Sequence, residues 1–227
     1  MDSIFIYRNP EDAVAQGGPL QDLTLAIQPN ISVAGWPTDA GSKALSGFTA
    51  LEDATMAQRL HQAGARFLGS TRMSEFGFGL RDSAAGLALR ERVVDAELVL
   101  DLMGESRQAA LSAGVCGFKP SYGLVSRFGL VGLIPSMECC GILCSNLKTA
   151  RAMMKVMAGP DERDFSLPAE PLPDFSLEGA DPSRTTVGVV AEAIASLPDG
   201  SKALMDSAVA ELEQAGCAVR EVSLPGF

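Results

Sequence analysis

Residues Asp53–Gly69 read DATMAQRLHQAGARFLG. Ala54, Ala57, Leu60 and Ala63 recur at three-residue spacing, which places them along one side of a helix, and Gly64 follows as its stop. Arg66–Gly69 then reads as a strand. Upstream, Asp22–Gln28 (DLTLAIQ) is a second strand, ended by Pro29. Between them Asn30–Gly47 is rich in Gly, Ser, Pro and Thr and reads as an ordered loop. Strand, loop, helix, strand is the order of an α/β layer.

Working outward, Ser3–Tyr7 (SIFIY) predicts a short strand, Ser83–Arg92 a helix and Glu97–Leu102 (ELVLDL) a buried strand. Arg107–Gly114 (RQAALSAG) is a short helix of small residues suited to close packing, and Phe118–Val131 is rich in turns. Ser145–Ala158 predicts a helix capped by Ser145, with Leu147, Ala150, Met153, Met154 and Met157 as its apolar stripe. The methionines there read as core filler. Asp161–Arg184, with Pro168, Pro171, Pro173 and Pro182, is a surface connection rather than a boundary. Thr185–Val190 is a strand. Asp199 caps a helix running to Ala215, with Leu204, Ala208 and Leu212 on one face, and Ala218–Val222 begins another strand.

The chain has 227 residues, 18 Lys+Arg and 28 Asp+Glu, so the net charge is −10. That length suits a single domain over residues 1–227, with residues 1–22 as a divergent lead. The acidic balance argues against a nucleic-acid or anionic-membrane binder, because phosphates need a basic surface. No apolar run approaches the roughly 20 residues that span a bilayer. Met1–Asp22 lacks a basic start followed by an apolar stretch, so no signal peptide is expected. Five cysteines without a framework predict a cytoplasmic chain with reduced thiols.

Spacing alone offers little chemistry. His61 reads as an exposed helix residue. Cys139, Cys140 and Cys144 do not match a zinc framework, and Gly77-x-Gly79 lacks the rest of a phosphate-cradling loop. No metal and no cofactor is expected. Asp101 and Glu105 stand four residues apart where a strand ends and a helix begins. Carboxylates there suit cation binding, acid–base work or the plainer task of a helix start.

Four stretches carry a family resemblance: Leu25–Gly47 (LAIQPNISVAGWPTDAGSKALSG), Glu52–Gly79, Arg107–Val131 (RQAALSAGVCGFKPSYGLVSRFGLV) and Glu221–Pro225. They resemble the amidase-signature family, and within it the A subunits of the glutamyl-tRNA(Gln)/aspartyl-tRNA(Asn) amidotransferases. The resemblance implies an α/β chain with a partial amidase-signature fold, a mixed central sheet flanked by helices. It also implies amide hydrolysis by a serine nucleophile, a bridging serine and a lysine of depressed pKa, with the oxyanion held by N–H groups of a glycine-rich loop.

Residue by residue, those positions are changed. The family lysine falls on Gln28, whose carboxamide nitrogen is not basic. Alignment on Arg107-Gln108 puts the nucleophile position at Glu105, with Met103 in place of a loop glycine. The bridging serine falls at about Asp82, and the family's Gly-Gly-Ser-Ser-Gly-Gly-Ser segment is absent. Lys43 matches a different family lysine. Asp101, Ser106, Tyr122 and Arg127 remain as candidates to line a remnant cleft. Ser83 and Ser106 lie near lost catalytic positions with no evident base, and Trp36 and Pro37 are expected to anchor their loop.

The expected function is therefore that of a non-catalytic binding or assembly component, a pseudoenzyme that docks on another protein or pairs with its own copy. Amidotransferase subunits are the natural candidates. A family member's second half would cover a sheet edge and an apolar face left open here, which also favours a partner. The alternative is an amide hydrolase or an enzyme of altered chemistry using Asp82, Asp101 and Glu105, with a divalent cation as a conceivable aid. A decaying gene product is a third reading, opposed by the consistent caps and stripes.

Overall fold

The computed structural model describes residues 4–10, 17–167, 171–175, 179 and 181–224. Ser3, Pro168 and Pro225 of the predicted segments lie outside these. The chain divides into two compact units, Met1–Phe175 and Ser176–Phe227, and the division falls inside the Asp161–Arg184 stretch.

In the first unit the chain forms β1 (Phe5–Arg8), β2 (Thr24–Ile27), α1 (Thr55–Gln62), β3 (Arg66–Thr71), α2 (Leu87–Arg90) and β4 (Ala96–Asp101). It continues through α3 (Glu105–Ala113), β5 (Cys116–Phe118), β6 (Cys139–Cys144) and α4 (Leu147–Met157). The strands make one six-stranded sheet in the order β1-β3-β2-β4-β6-β5. β2 runs parallel to β3 and β4, whereas β1, β6 and β5 pair antiparallel with their neighbours. This is the mixed, helix-flanked sheet that the resemblance implies, and β2, the 30–47 loop, α1 and β3 make the α/β layer read from the strand–loop–helix–strand pattern.

The pleat of period two sorts the core. Leu25, Ile27, Leu98, Cys140 and Ile142 face α1 and α4, where Leu60, Met153, Met154 and Met157 meet them. Ala26, Val99 and Leu143 face the other way, onto Ala88 and Leu89 of α2 and Ala109 and Ala110 of α3. Ala54, Ala57, Leu60 and Ala63 are all buried, so the three-residue spacing marks the buried face of α1. The α4 methionines are core filler as expected, but Leu147, at the first turn, is 62% exposed.

Two predictions of the local pattern are corrected in this unit, and a third in the other, where Asp199 is the first residue of its helix after Pro198 rather than its cap. Over Ser83–Arg92 only Leu87–Arg90 is helical. Gly86 has φ +80°, and a Cβ there would lie 2.8 Å from the Ala113 Cβ, so the chain turns sharply where it closes on α3. Asp82 is also left-handed, and the Ser83 hydroxyl accepts from the Ala85 N–H within a turn. The cap of α4 is not Ser145 but Asn146, whose Oδ1 accepts from the Thr149 N–H at 3.0 Å.

Long-range polar contacts fix the helices. Arg59 of α1 donates to the carbonyls of Met157 and Gly159 at 2.8 and 3.3 Å, satisfying the end of α4. Asp161 just beyond accepts from the hydroxyls of Thr55 and Ser126, tying the same corner to the start of α1. In the 30–47 loop, Trp36 is buried with Tyr7 and Phe67, with ring centroids 4.9 and 6.4 Å away. It anchors the loop as expected.

One charge sits where the strand pattern placed only apolar burial. Glu97 of β4 is fully buried. Its Oε1 accepts from Thr71 Oγ1 of β3 at 2.6 Å and its Oε2 from the Gly86 N–H at 2.7 Å. Burial pushes its pKa up to about 7, against the opposing pull of those two donors.

The second unit holds β7 (Thr186–Val190), α5 (Ala191–Ala195), α6 (Asp199–Gln214) and β8 (Ala218–Val222). β7 and β8 pair in parallel from Thr186↔Ala218 to Val190↔Val222. The expected apolar face of α6 is present but not buried: Leu204 is 73% exposed and no α6 residue is buried. Two strands offer too little surface to cover a helix face.

Two measurements test these assignments. Asn146→Ala should lower stability by about 1 kcal/mol in urea unfolding, while Ser145→Ala stays within about 0.5 kcal/mol. The Glu97 carboxyl titrates above its ordinary value of 4.5 in the fold, at about 7. Its stabilising proton is fully present below pH 4.5 and is lost as pH rises through 7. Glu97→Gln should therefore gain on the parent by up to about 3 kcal/mol between about pH 4.5 and 8. A pH-independent difference would contradict this burial.

Candidate functional site

The site is the turn between β4 and α3. Strand β4 ends at Asp101, residues 102–104 turn, and α3 starts at Glu105 after Gly104 at φ +113°. A helix start exposes backbone N–H groups that need acceptors. Here two carboxylates supply them. Glu105, 7% exposed, accepts from the N–H groups of Leu102 at 2.9 Å and Met103 at 2.7 Å through Oε2. Its Oε1 accepts from the Gly79 N–H at 3.1 Å. The carboxylate thus fills a concavity of three converging amides.

Asp101 holds the other side. Its Oδ1 accepts from the Gly104 N–H at 2.8 Å and from Arg107 Nη2 at 3.0 Å. Its Oδ2 accepts from Arg107 Nε at 3.2 Å and from the Ser106 hydroxyl. Burial opposes the charge of Asp101, but the hydrogen bonds from Arg107, Ser106 and Gly104 outweigh it and hold its pKa below the usual range. The same pairing raises that of Arg107. Ser106 is therefore a donor to an ionised aspartate. It is also wedged against Gly141 of β6, where a Cβ would lie 2.4 Å from Ser106 Cβ.

Gln28 follows β2 and is buried. Its backbone N–H donates to the Leu98 carbonyl at 3.0 Å, and its side-chain Oε1 accepts from the Leu100 N–H at 2.8 Å. The carboxamide prolongs the β2–β4 ladder past the last paired residue. Asp82, by contrast, is on the surface. Its side chain is 86% exposed and lies 3.9 Å from Arg81. Asp101 and Glu105 share the buried turn, whereas the Asp82 side chain stands in solvent. Among the described residues, no group of three His, Cys, Asp or Glu side chains is placed to hold a metal ion.

Tyr122 and Arg127 form a separate cluster. Both donate to the Pro135 carbonyl, and the guanidinium lies 5.3 Å from the Tyr122 ring centre. Arg127 lines a cavity of about 420 Å³ with Phe128, Pro135 and Glu138. Tyr122 lines another of about 360 Å³ with Leu124 and Pro160. Neither is lined by Asp101 or Ser106. What lies between the clusters is the start of β6: Glu138 is 3.8 Å from Arg127, and Cys139 pairs in register with Asp101. Lys119 Nζ is 3.9 Å from Cys139 Sγ, yet burial raises the pKa of that thiol and keeps it protonated. His61 is exposed and stacks on Phe67 with ring centroids 6.5 Å apart.

The sequence pattern read Glu97 only as the first residue of a buried strand, and the available signal was a charge ahead of the apolar run 98–100. It also missed the Asp161 corner, whose partners are too distant in the chain for any local pattern.

Known proteins share this architecture. The family model described as Amidase matches residues 8–87 and 101–227. Glu105 lies inside the match and Glu97 in the interval it passes over. The chain is 36% identical over 233 aligned positions to the A subunit of the glutamyl-tRNA(Gln) amidotransferase of Natronomonas pharaonis, covering 92% of this chain and 55% of the relative. It is 32% identical to the chloroplastic/mitochondrial A subunit of Zea mays, covering 98% and 46%. Among solved structures, the A subunit of the glutamyl-tRNA(Gln) amidotransferase of Thermotoga maritima superposes with a TM-score of 0.88 at 26% identity, over 98% of this chain and 54% of that one. The native peptide amidase of Stenotrophomonas maltophilia gives 0.80 at 25% identity, over 92% and 49%. The chain thus spans about half the length of the curated relatives it matches. With the family model running through both of its units, this chain belongs to the amidase signature family.

Proposed function

We propose that this chain is a non-catalytic, amidase-like protein that serves as a binding or assembly component. The observation that carries this reading is the Glu105 carboxylate, which stands at the aligned nucleophile position and accepts from the N–H groups of Leu102, Met103 and Gly79. Amide hydrolysis needs such donors free for a developing oxyanion. Here a fixed negative charge occupies them, so both substrate carbonyl and oxyanion are repelled. The base is missing as well, because Gln28 is bound into the sheet and its nitrogen takes up no proton.

Both units belong to one amidase-like domain in this reading. The partner is a protein, either a second copy or the subunits of an amidotransferase, since the relatives are named as subunits of such an assembly. The chain acts in the cytoplasm, without contacting nucleic acid or membrane. Among the described residues no helix is long and apolar enough to cross a membrane.

Ammonia release from glutamine, asparagine and a peptide amide tests the catalytic half. The expected result is no release above the protein-free rate. Release that Glu105→Gln abolishes would replace this reading with an enzyme of altered chemistry. Glu105→Ala should instead act on stability, lowering it by about 1–3 kcal/mol by leaving buried N–H groups unpaired. Affinity capture from the native cell, with the mass of the isolated chain in solution, tests the assembly half. A monodisperse monomer that recovers neither amidotransferase subunits nor another amidase-like chain would overturn it.

A further inference from the structure

Cys116 of β5 and Cys144 of β6 are directly opposed in the antiparallel ladder. Both point to the α1/α4 face: Cys144 is buried in that cluster and Cys116 packs against it. Opposed residues in an antiparallel pair hold their α-carbons about 4.5–5.5 Å apart. A disulfide spans about 4.4–6.8 Å between α-carbons, and the spacing of an opposed pair falls in that range. Their proximity is felt electrostatically, since Cys116 adds to the larger effect of burial in raising the pKa of Cys144. Cys139 and Cys140 are also neighbours but consecutive in one strand, so they point to opposite faces. Cys217 belongs to the other unit.

We propose that Cys116 and Cys144 are an oxidative modification site, forming a reversible cross-strand disulfide when the chain meets a peroxide. Cys116 is the partly exposed member and reacts first. Its thiolate attacks hydrogen peroxide, the O–O bond breaks, and a sulfenic acid forms while the departing hydroxide takes up a proton to become water. Cys144 sulfur then displaces hydroxide from Cys116 sulfur, the S–S bond forms, and with the thiol proton a second water leaves. Two thiols lose two electrons and one peroxide becomes two waters. A dithiol reverses the bond by exchange.

The bond would tie the three-residue edge strand β5 to the fully buried β6. It would also remove the hydrogen bond by which the Cys144 thiol donates to the Asn146 carbonyl at 3.1 Å, at the cap of α4. Oxidation therefore tightens the sheet edge on which α3 packs and loosens the start of α4.

The test is oxidation of the full chain with excess hydrogen peroxide, followed by alkylation, intact mass and peptide mapping. The expected product has lost two hydrogens, keeps three of its five alkylatable thiols and yields a peptide cross-linked through Cys116 and Cys144. Dithiothreitol restores all five. Cys116→Ser forms no such cross-link, and its melting temperature lacks the rise on oxidation shown by the parent. Cys116 recovered as a sulfinic acid with Cys144 still alkylatable, or a bridge to any other cysteine, would overturn the proposal. If Cys116→Ser fails to fold, Cys144→Ala serves, and the map of the parent chain decides by itself.

Discussion

The backbone N–H groups at the β4–α3 turn are the constraint around which this molecule is arranged. Strand β4 lies at the centre of the sheet and all six of its residues are buried. The turn that follows it is therefore closed to bulk water on its inner side, and its donors must find acceptors within the chain. Glu105 and Asp101 satisfy Leu102, Met103, Gly104 and the distant Gly79 between them. Asp101 also fixes Ser106 and Arg107 and so sets the angle at which α3 leaves the sheet. Packing of α3 on β5 and of Ser106 on Gly141 follows from that angle.

A second buried carboxylate repeats the device earlier in the same strand. Glu97 joins β4 to Thr71 of β3 and to the Gly86 N–H ahead of α2. Burial holds its pKa near 7, so neutral and charged forms share the site close to neutral pH. The two carboxylates illustrate opposite outcomes of one balance. Asp101 gathers enough donors, two of them from a guanidinium, to keep its charge despite burial. Glu97 has a hydroxyl and one amide, and the desolvation of the charge prevails.

Much of the fold was legible because burial imposes a period. The stripe of α1, the methionines of α4 and the apolar run of β4 all follow the spacing that the sheet requires. The misreadings have separate causes. The helix expected over Ser83–Arg92 shortens because Gly86 meets Ala113 and Glu97. Leu147 fits the stripe of α4 yet stands at its first turn, beyond the reach of the sheet. Asn146 rather than Ser145 caps that helix, a one-residue choice that the two side chains are equally suited to make. The site was legible as positions but not as geometry. The family resemblance suggests that Gln28 and Glu105 stand at catalytic positions, and their hydrogen bonds give the part each plays in the fold. Counting residues groups Asp82 with them, and the turn it occupies faces solvent.

In the proposed reading, positions 28 and 105 separate the fold from the family's chemistry. The sheet asks of position 28 an acceptor for the Leu100 N–H, and a carboxamide meets that demand. The turn asks of position 105 a filled amide cradle, and a carboxylate fills it continuously. Catalysis asks for the reverse: donors left open until charge develops on the substrate, beside a group able to take up a proton. A nucleophile's hydroxyl is too short and too weakly charged to saturate three amides, so an active turn carries unsatisfied donors as a standing cost to stability. In the proposed reading, a carboxylate in that place removes the cost together with the reactivity. What the residues around Glu105 favour is a turn that holds its shape without a ligand, because its own carboxylate satisfies the converging N–H groups.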